Sequence, residues 1–339
     1  MKKYKLSPSI SGGLILSYKC NAACRHCMYG CSPAWDAEWI SKSDLELILD
    51  RLAGKIIPSP IGIDKISVNH GLHFSGGEPF LNYSLLLDAV KIASYLKIPS
   101  TFVETNCFWC RNDDVTIEKL QLLKQNGLKG ILISVNPYYA EYVPFERTER
   151  CIRLAYEIFR ENVIVYQYEY YYLFKELGII DRISLDQYLK LVNQRNIADQ
   201  VELFLMGKAV TQLADYYPKF PANIFFEQPC RPPFFRFWHN HFDNYGNLIP
   251  GYCGGISLGN WHYLGQLIEE GIDIDNCPVL ESLIEDEFKN LYYFACDYGY
   301  KEDSAGYLSK CDLCLSIRKH LIKKKKFKEL QPLQFYNHV

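Results

Sequence analysis

The chain has 339 residues, 48% of them hydrophobic, which excludes a disordered chain and allows more than one domain. Its formal net charge of -2 argues against a general nucleic-acid binder, which is usually basic. No run of about 18 apolar residues suggests a membrane span. The opening MKKYKLSPSISGGLILSYK lacks the long apolar run and small-residue cleavage pattern of a secretory signal, so a cytoplasmic location is expected.

Strand-like and helix-like stretches alternate from the start. GGLILSY (12–18) reads as a buried strand. Residues 41–54 read as a helix, with Ser43 and Glu46 spaced as a capping box. A second strand within 65–77 ends in glycines, and helix 82–97 has Asn82 as its N-cap. Strand 100–106 precedes helix 113–127, closed by Gly127. Strand 130–136, helix 144–159, the aromatic strand 163–174, helix 184–196 and strand 201–206 complete the series. Six strands alternating with helices predict an α/β fold with a parallel sheet, an open or partial (β/α)6 barrel. The pattern leaves a doubly wound sheet open.

Near residue 220 the composition turns rich in Pro, Gly and aromatics, and from there to residue 314 lie Cys230, Cys253, Cys277, Cys296, Cys311 and Cys314. We read a small, metal-stapled cysteine-rich C-terminal extension over 220–320, after a core over 10–215. A basic tail over 321–339 opens on the Lys323–Lys326 run, read as a solvated helix end. The 26 tyrosines and 19 phenylalanines are read as core and interface.

Thirteen cysteines without an export signal point to metal or redox chemistry, not to a disulfide framework. Cys20, Cys24 and Cys27 follow the first strand in CNAACRHC, where an α/β barrel carries its active site. Thiolates suit iron–sulfur clusters and zinc. A structural zinc site wants four closed ligands, whereas three thiolates on a [4Fe–4S] cluster leave one iron open.

The Cys-x3-Cys-x2-Cys spacing, with His26 before the third cysteine, resembles the signature of the radical S-adenosylmethionine (SAM) enzymes. That resemblance implies that SAM chelates the open iron. One electron then cleaves it to methionine and a 5′-deoxyadenosyl radical, which takes a hydrogen atom from substrate. FSGGEP (74–79) resembles the element that holds the SAM ammonium. Gly76 and Gly77 permit close backbone approach, and Glu78 can accept a charge-assisted hydrogen bond. VETNC (103–107) and ISVN (133–136) resemble stretches beside SAM, implying Asn106 and Ser134 as ribose or carboxylate contacts, with Glu104 a further candidate. Cys107 stands where the family commonly has glycine, and Asn136 where it commonly has aspartate.

Cys107 and Cys110 form CFWC, read first as local packing, beside a role near substrate or a redox or metal pair. Cys31 is read as structural and Cys151 as core. Cys230, Cys253 and the pair Cys311/Cys314 make a closed four-thiolate set for zinc or a cluster. C…NYGNLIPGYC…LGN (230–260), preceded by MGKA (206–209), resembles the SPASM/twitch extensions. This implies one auxiliary [4Fe–4S] cluster, with Cys277 and Cys296 left over.

These resemblances imply electron transfer through the second cluster and an oxidative modification or crosslink of a peptide or protein residue. The partner is a low-potential electron donor of flavodoxin or ferredoxin type. Against the peptide reading, only 19 residues precede Cys20, too few for a leader-binding domain, a function that a separate recognition protein could supply. Dehydrogenation of a small metabolite of the sugar-alcohol type is the alternative, and an iron–sulfur or zinc redox sensor the non-enzymatic one. The residue that exchanges a proton with substrate is not legible.

Overall fold

The computed structural model describes residues 2–192, 203–230, 238–285 and 288–339. The chain divides into two compact units, one of residues 9–24 and 31–201, the other of 1–8, 25–30 and 202–339. The division follows packing more than chain order. Strand β1 (Lys3–Tyr4) belongs to the second unit, where it pairs antiparallel with a late strand.

The first unit is built on β2 (Ser11–Ile15), β3 (Leu72–Ser75), β4 (Thr101–Thr105), β5 (Gly130–Ser134) and β6 (Val163–Tyr166). They run parallel in sequential order, in register Gly12↔Leu72, Leu72↔Thr101, Phe102↔Gly130 and Ile131↔Val163. A doubly wound sheet reverses its order at a switch point; this sheet does not, which leaves the open barrel. Burial is nearly continuous along β2 to β5, as expected of a parallel sheet covered on both faces. The predicted sixth strand lies partly outside the described residues, and 203–206 carry no strand.

The connecting helices are α1 (Lys42–Leu52), α2 (Tyr83–Tyr95), α3 (Asp113–Gln125), the single turn α4 (Pro137–Ala140) and α5 (Phe145–Phe159). Asn82 caps α2 as predicted, accepting from Leu85 N–H at 3.3 Å. The cap of α1 differs: Ser41, not Ser43, accepts from Asp44 N–H at 3.0 Å, because the helix begins two residues earlier. The predicted strand 163–174 stops at Tyr166. Gln167 turns the chain at φ +61°, and α6 (Tyr168–Glu176) follows. Its aromatics pack as a helix would have them: Phe174 meets Phe145 edge-on at 5.2 Å and Tyr188 at 5.6 Å. Tyr188 lies on α7 (Leu185–Leu191), which opens with a Ser184/Gln187 capping box.

In the second unit, α8 (Ala209–Gln212) is followed by a hairpin of β7 (His239–Asp243) and β8 (Leu248–Pro250). Asp243 Oδ1 accepts from the N–H groups of Tyr245 and Asn247 at the turn. Then come α9 (Leu264–Glu270), β9 (Ile272–Asp273), α10 (Pro278–Ile284), α11 (Phe288–Asp297), α12 (Lys310–Leu321) and α13 (Phe335–His338). Lys323 to Lys326 are exposed, as read from sequence. The rest of the tail is not a loose end. Phe327, Leu330, Phe335 and Tyr336 are buried, so the segment belongs to the core of this unit. No helix among the described residues is long and apolar enough to cross a membrane.

Candidate metal and cofactor site

In the first unit the expected residues lie just beyond the C-terminal ends of successive parallel strands. Cys20 and Cys24, both buried, follow β2. Residues 76–78 follow β3, Asn106 follows β4, and Ser134 closes β5 in register with Tyr166.

The segment after β3 lies directly against the chain that leads into the cysteines. Gly77 N–H donates to Ser17 O at 2.8 Å, and Glu78 N–H to Lys19 O at 3.1 Å. A methyl at Gly77 would stand 1.9 Å from Lys19 O, and one at Gly76, where φ is +123°, 2.4 Å from Ser17 O. These two glycines are therefore required by the backbone contact itself.

Glu78 is buried, and its carboxylate braces the end of β4. Oε1 accepts from Thr105 Oγ1 at 2.9 Å and Phe80 N–H at 3.2 Å; Oε2 accepts from Asn106 N–H at 2.8 Å. Asn106 passes the bracing on. Its Nδ2 donates to Asn21 Oδ1 at 2.9 Å and lies 3.9 Å from Cys20 Sγ, which also receives Ala22 N–H at 3.4 Å. Tyr142 Oη donates to Ala23 O at 3.1 Å. The cysteine loop is thus held from β3, β4 and the chain after β5 at once.

Glu104 accepts from Ser75 Oγ at 2.7 Å and stands 3.6 Å from His73 Nε2. Burial lowers His73 to about 3, so the imidazole is neutral at physiological pH and the contact is not an ion pair. Asn136 caps α4, accepting from Tyr138 and Tyr139 N–H at 3.1 Å each. An asparagine serves this N-cap as well as an aspartate, which accounts for the residue found there.

Burial lifts the Glu78 carboxyl from 4.5 to about 7, against the pull of the Asn106 and Phe80 N–H groups and the Thr105 hydroxyl. The folded protein therefore holds a proton that the unfolded chain releases between these values. That contribution is fully present below about 4.5 and is lost as pH rises through about 7. His26, lowered to about 4 by burial and by Lys208, and His73 slope the opposite way. The difference between wild type and Glu78→Gln in denaturant titrations isolates Glu78. It is expected to change by about 3 kcal/mol across that interval, and a pH-independent difference overturns the assignment.

In the second unit, Cys27 sits on the MGKA segment. Lys208 N–H donates to Cys27 O at 3.0 Å. Gly207, at φ +57°, packs so closely that a methyl would stand 2.6 Å from Cys27 O and 2.5 Å from Met28 O. Met28 in turn lines a cavity together with Cys230, Cys253, Cys311 and Cys314. The four cysteines predicted as one set are thus brought together. Burial, then the neighbouring sulfurs, pushes Cys311 up to about 12 and raises Cys253 well above the ordinary thiol value. Four thiols gathered on one cavity wall are a poor core but a good ligand set, and a bound cation reverses the balance that keeps Cys253 and Cys311 protonated. Cys277 is buried outside this cavity wall, where Cys277 N–H donates to Ile274 O at 2.9 Å.

Two further residues of this wall are not legible from sequence. Arg318 is buried, donates through Nη1 to Gly254 O at 2.9 Å and Tyr336 Oη at 3.1 Å, and its buried Nε has no partner among the described residues. Phe335 comes from the tail. Arg318 lies four residues after Cys314, hence on the same face of α12, and that spacing is the signal that could have found it. A cation among four potential thiolates fits an anionic metal–thiolate centre.

A groove of about 980 Å³ lies over α5 and α6, lined by Asp113, Arg150, Tyr168, Tyr172 and Lys175 and by none of the candidate site residues above.

No family model matches the chain. Over 128 residues it is 25% identical to YydG, a candidate peptide biosynthesis protein of Bacillus subtilis (strain 168). The match covers 38% of this chain and 36% of that protein, about a third of the relative's length. Among solved structures, native anSMEcpe with bound AdoMet aligns over 93% of this chain and 97% of its own, at 14% identity and TM-score 0.44. BtrN in complex with AdoMet and 2-DOIA aligns over 78% and 89%, at 15% identity and TM-score 0.39. In its motifs, and in the strand ends that carry them, the chain resembles the radical SAM superfamily.

Proposed function

We propose that this chain is a radical SAM enzyme that oxidatively modifies a residue of a peptide or protein. The observation that carries the reading is the mutual bracing of Cys20, Gly77, Glu78 and Asn106. The loop bearing the first thiols is hydrogen-bonded to the two segments that accompany SAM in that superfamily.

When bound, a [4Fe–4S] cluster and SAM supply the electron and the hydrogen-abstracting radical. Cys20, Cys24 and Cys27 would hold that cluster. Gly76 and Gly77 keep the adjacent backbone within reach of a ligand, and Ser134 and His26 are the further contacts. Glu78 serves the site by fixing the end of β4, and Asn106 by fixing the cysteine loop.

Cys230, Cys253, Cys311 and Cys314 would hold the auxiliary cluster. Met28, the residue directly after Cys27 in the chain, lines that second cavity, and the auxiliary cluster is assigned to electron transfer. An electron path supports net oxidation over a redox-neutral rearrangement. The peptide class is supported by the relative described for peptide biosynthesis, and a low-potential flavodoxin or ferredoxin supplies reducing electrons.

The test is SAM cleavage by anaerobically reconstituted, reduced protein, with 5′-deoxyadenosine measured by chromatography. Wild type is expected to form it, and Cys20→Ala/Cys24→Ala/Cys27→Ala to fall to the protein-free level. Absence of product from wild type, with zinc in place of iron, overturns the reading in favour of a structural or redox-sensing metal protein.

A further inference from the structure

Cys107, Cys110 and Cys151 form a third sulfur cluster, within the first unit and separate from both sets above. All three are fully buried, and their sulfurs lie within 4.8 Å of one another. Cys107 and Cys110 belong to the turn after β4, closed by Cys110 N–H donating to Cys107 O at 3.1 Å. Cys151 comes from α5.

Two features set this cluster apart from packing. Cys107 has φ +65°, a left-handed conformation that glycine adopts freely and that costs other residues about 1 kcal/mol or more. A cysteine is held there although glycine would be cheaper, and its thiol meets the other two. The turn is also gripped by cations: Arg150 Nη1 donates to Cys110 O and Arg147 Nη1 to Phe108 O, each at 2.7 Å.

We infer that Cys107, Cys110 and Cys151 bind a single zinc ion. Zinc–sulfur bonds of about 2.3 Å in a tetrahedron place ligand sulfurs about 3.8 Å apart, which the observed spacing accommodates. A four-iron cube attaches its cysteines to different irons and spreads them wider. Three thiolates on Zn²⁺ leave one net negative charge, which Arg147 and Arg150 face through the turn. The fourth position falls to an oxygen donor, with the Thr116 hydroxyl beside Cys110 at hand. Binding releases the thiol protons and staples α5 to the end of β4, two residues from the Thr105 that Glu78 holds. The inference does not rest on the radical SAM reading.

The experiment uses full-length protein with its iron already reconstituted, incubated with Zn²⁺, desalted and analysed for both metals. Wild type is expected to retain one zinc per chain, and its zinc K-edge spectrum to show three sulfurs at about 2.3 Å. Cys107→Gly/Cys110→Ala/Cys151→Ala is expected to lose the zinc with iron content unchanged. Equal zinc in both proteins, no zinc in wild type, or a wild-type spectrum with four sulfurs or none overturns it. The wild-type spectrum decides the matter if the variant does not fold.

Discussion

Gly77→Ala is expected to destabilise the protein by about 3 kcal/mol and to empty the first cysteine site of iron. The reason is contact, not backbone conformation, since φ at Gly77 lies outside the left-handed region. An added methyl would stand 1.9 Å from Lys19 O, 2.4 Å from Lys19 C and 3.0 Å from Cys20 N, all backbone atoms that no rotamer change can move aside. The two hydrogen bonds that tie residues 77 and 78 to Ser17 and Lys19 hold the segments at this separation, so relief means breaking them. Each such loss costs about 1 kcal/mol, on top of overpacking worth about 1–3 kcal/mol. Because Cys20 follows Lys19, the displacement reaches the thiol directly. Gly54→Ala is the control. That residue has φ +72° but nothing within 4 Å of the added methyl, so it pays only a backbone cost of about 1 kcal/mol. Thermal melts and iron content measured on both variants check the prediction. Gly77→Ala with wild-type stability and full iron would sink it.

The parts of this fold that sequence revealed are those where local chemistry and tertiary packing agree. Strands β2 to β5 are short apolar runs ending in turn residues, and each was legible to within a few positions. Asn82 and Gly127 mark helix ends for local reasons, and both act there. Residues 163–174 failed because β-branched and aromatic residues favour a strand on a pleated surface. Here Tyr170, Phe174 and Tyr188 instead find one another along helices. Spaced cysteines were legible because ligand spacing is itself a local signal, and the cavity gathers Cys230, Cys253, Cys311 and Cys314 as spacing implied. Cys151 was not, since its partners lie about forty residues away in sequence and only the packing of α5 against the turn after β4 brings them together. Glu78 was legible as a site residue but not as a brace for β4, because its donors Thr105 and Asn106 come from another strand end.

Replacing Arg318 by methionine is expected to lower the reduction potential of the proposed auxiliary iron–sulfur cluster by on the order of 60 mV, a tenfold shift for a one-electron couple. Reduction would add a negative charge to a centre that four thiolates would already make anionic, and a buried cation in the same wall favours the reduced state. Arg318 is buried beside Cys253, Cys311 and Cys314 in that wall, where charge is poorly screened. Methionine keeps most of the volume but leaves Gly254 O and Tyr336 Oη without the Nη1 donor they share. An unfolding cost of about 2 kcal/mol follows. Tyr336 Oη also donates to Gly255 O at 2.5 Å, so the loosening extends to the chain that carries Cys253. Arg318→Lys separates the two effects. It restores the charge but not the planar fork, so the potential is expected to recover more fully than the melting temperature. Redox titration followed by electron paramagnetic resonance reads the first quantity and calorimetry the second. An unchanged potential in Arg318→Met, with iron content intact, would mean that the arginine fastens the tail and plays no part in tuning the site.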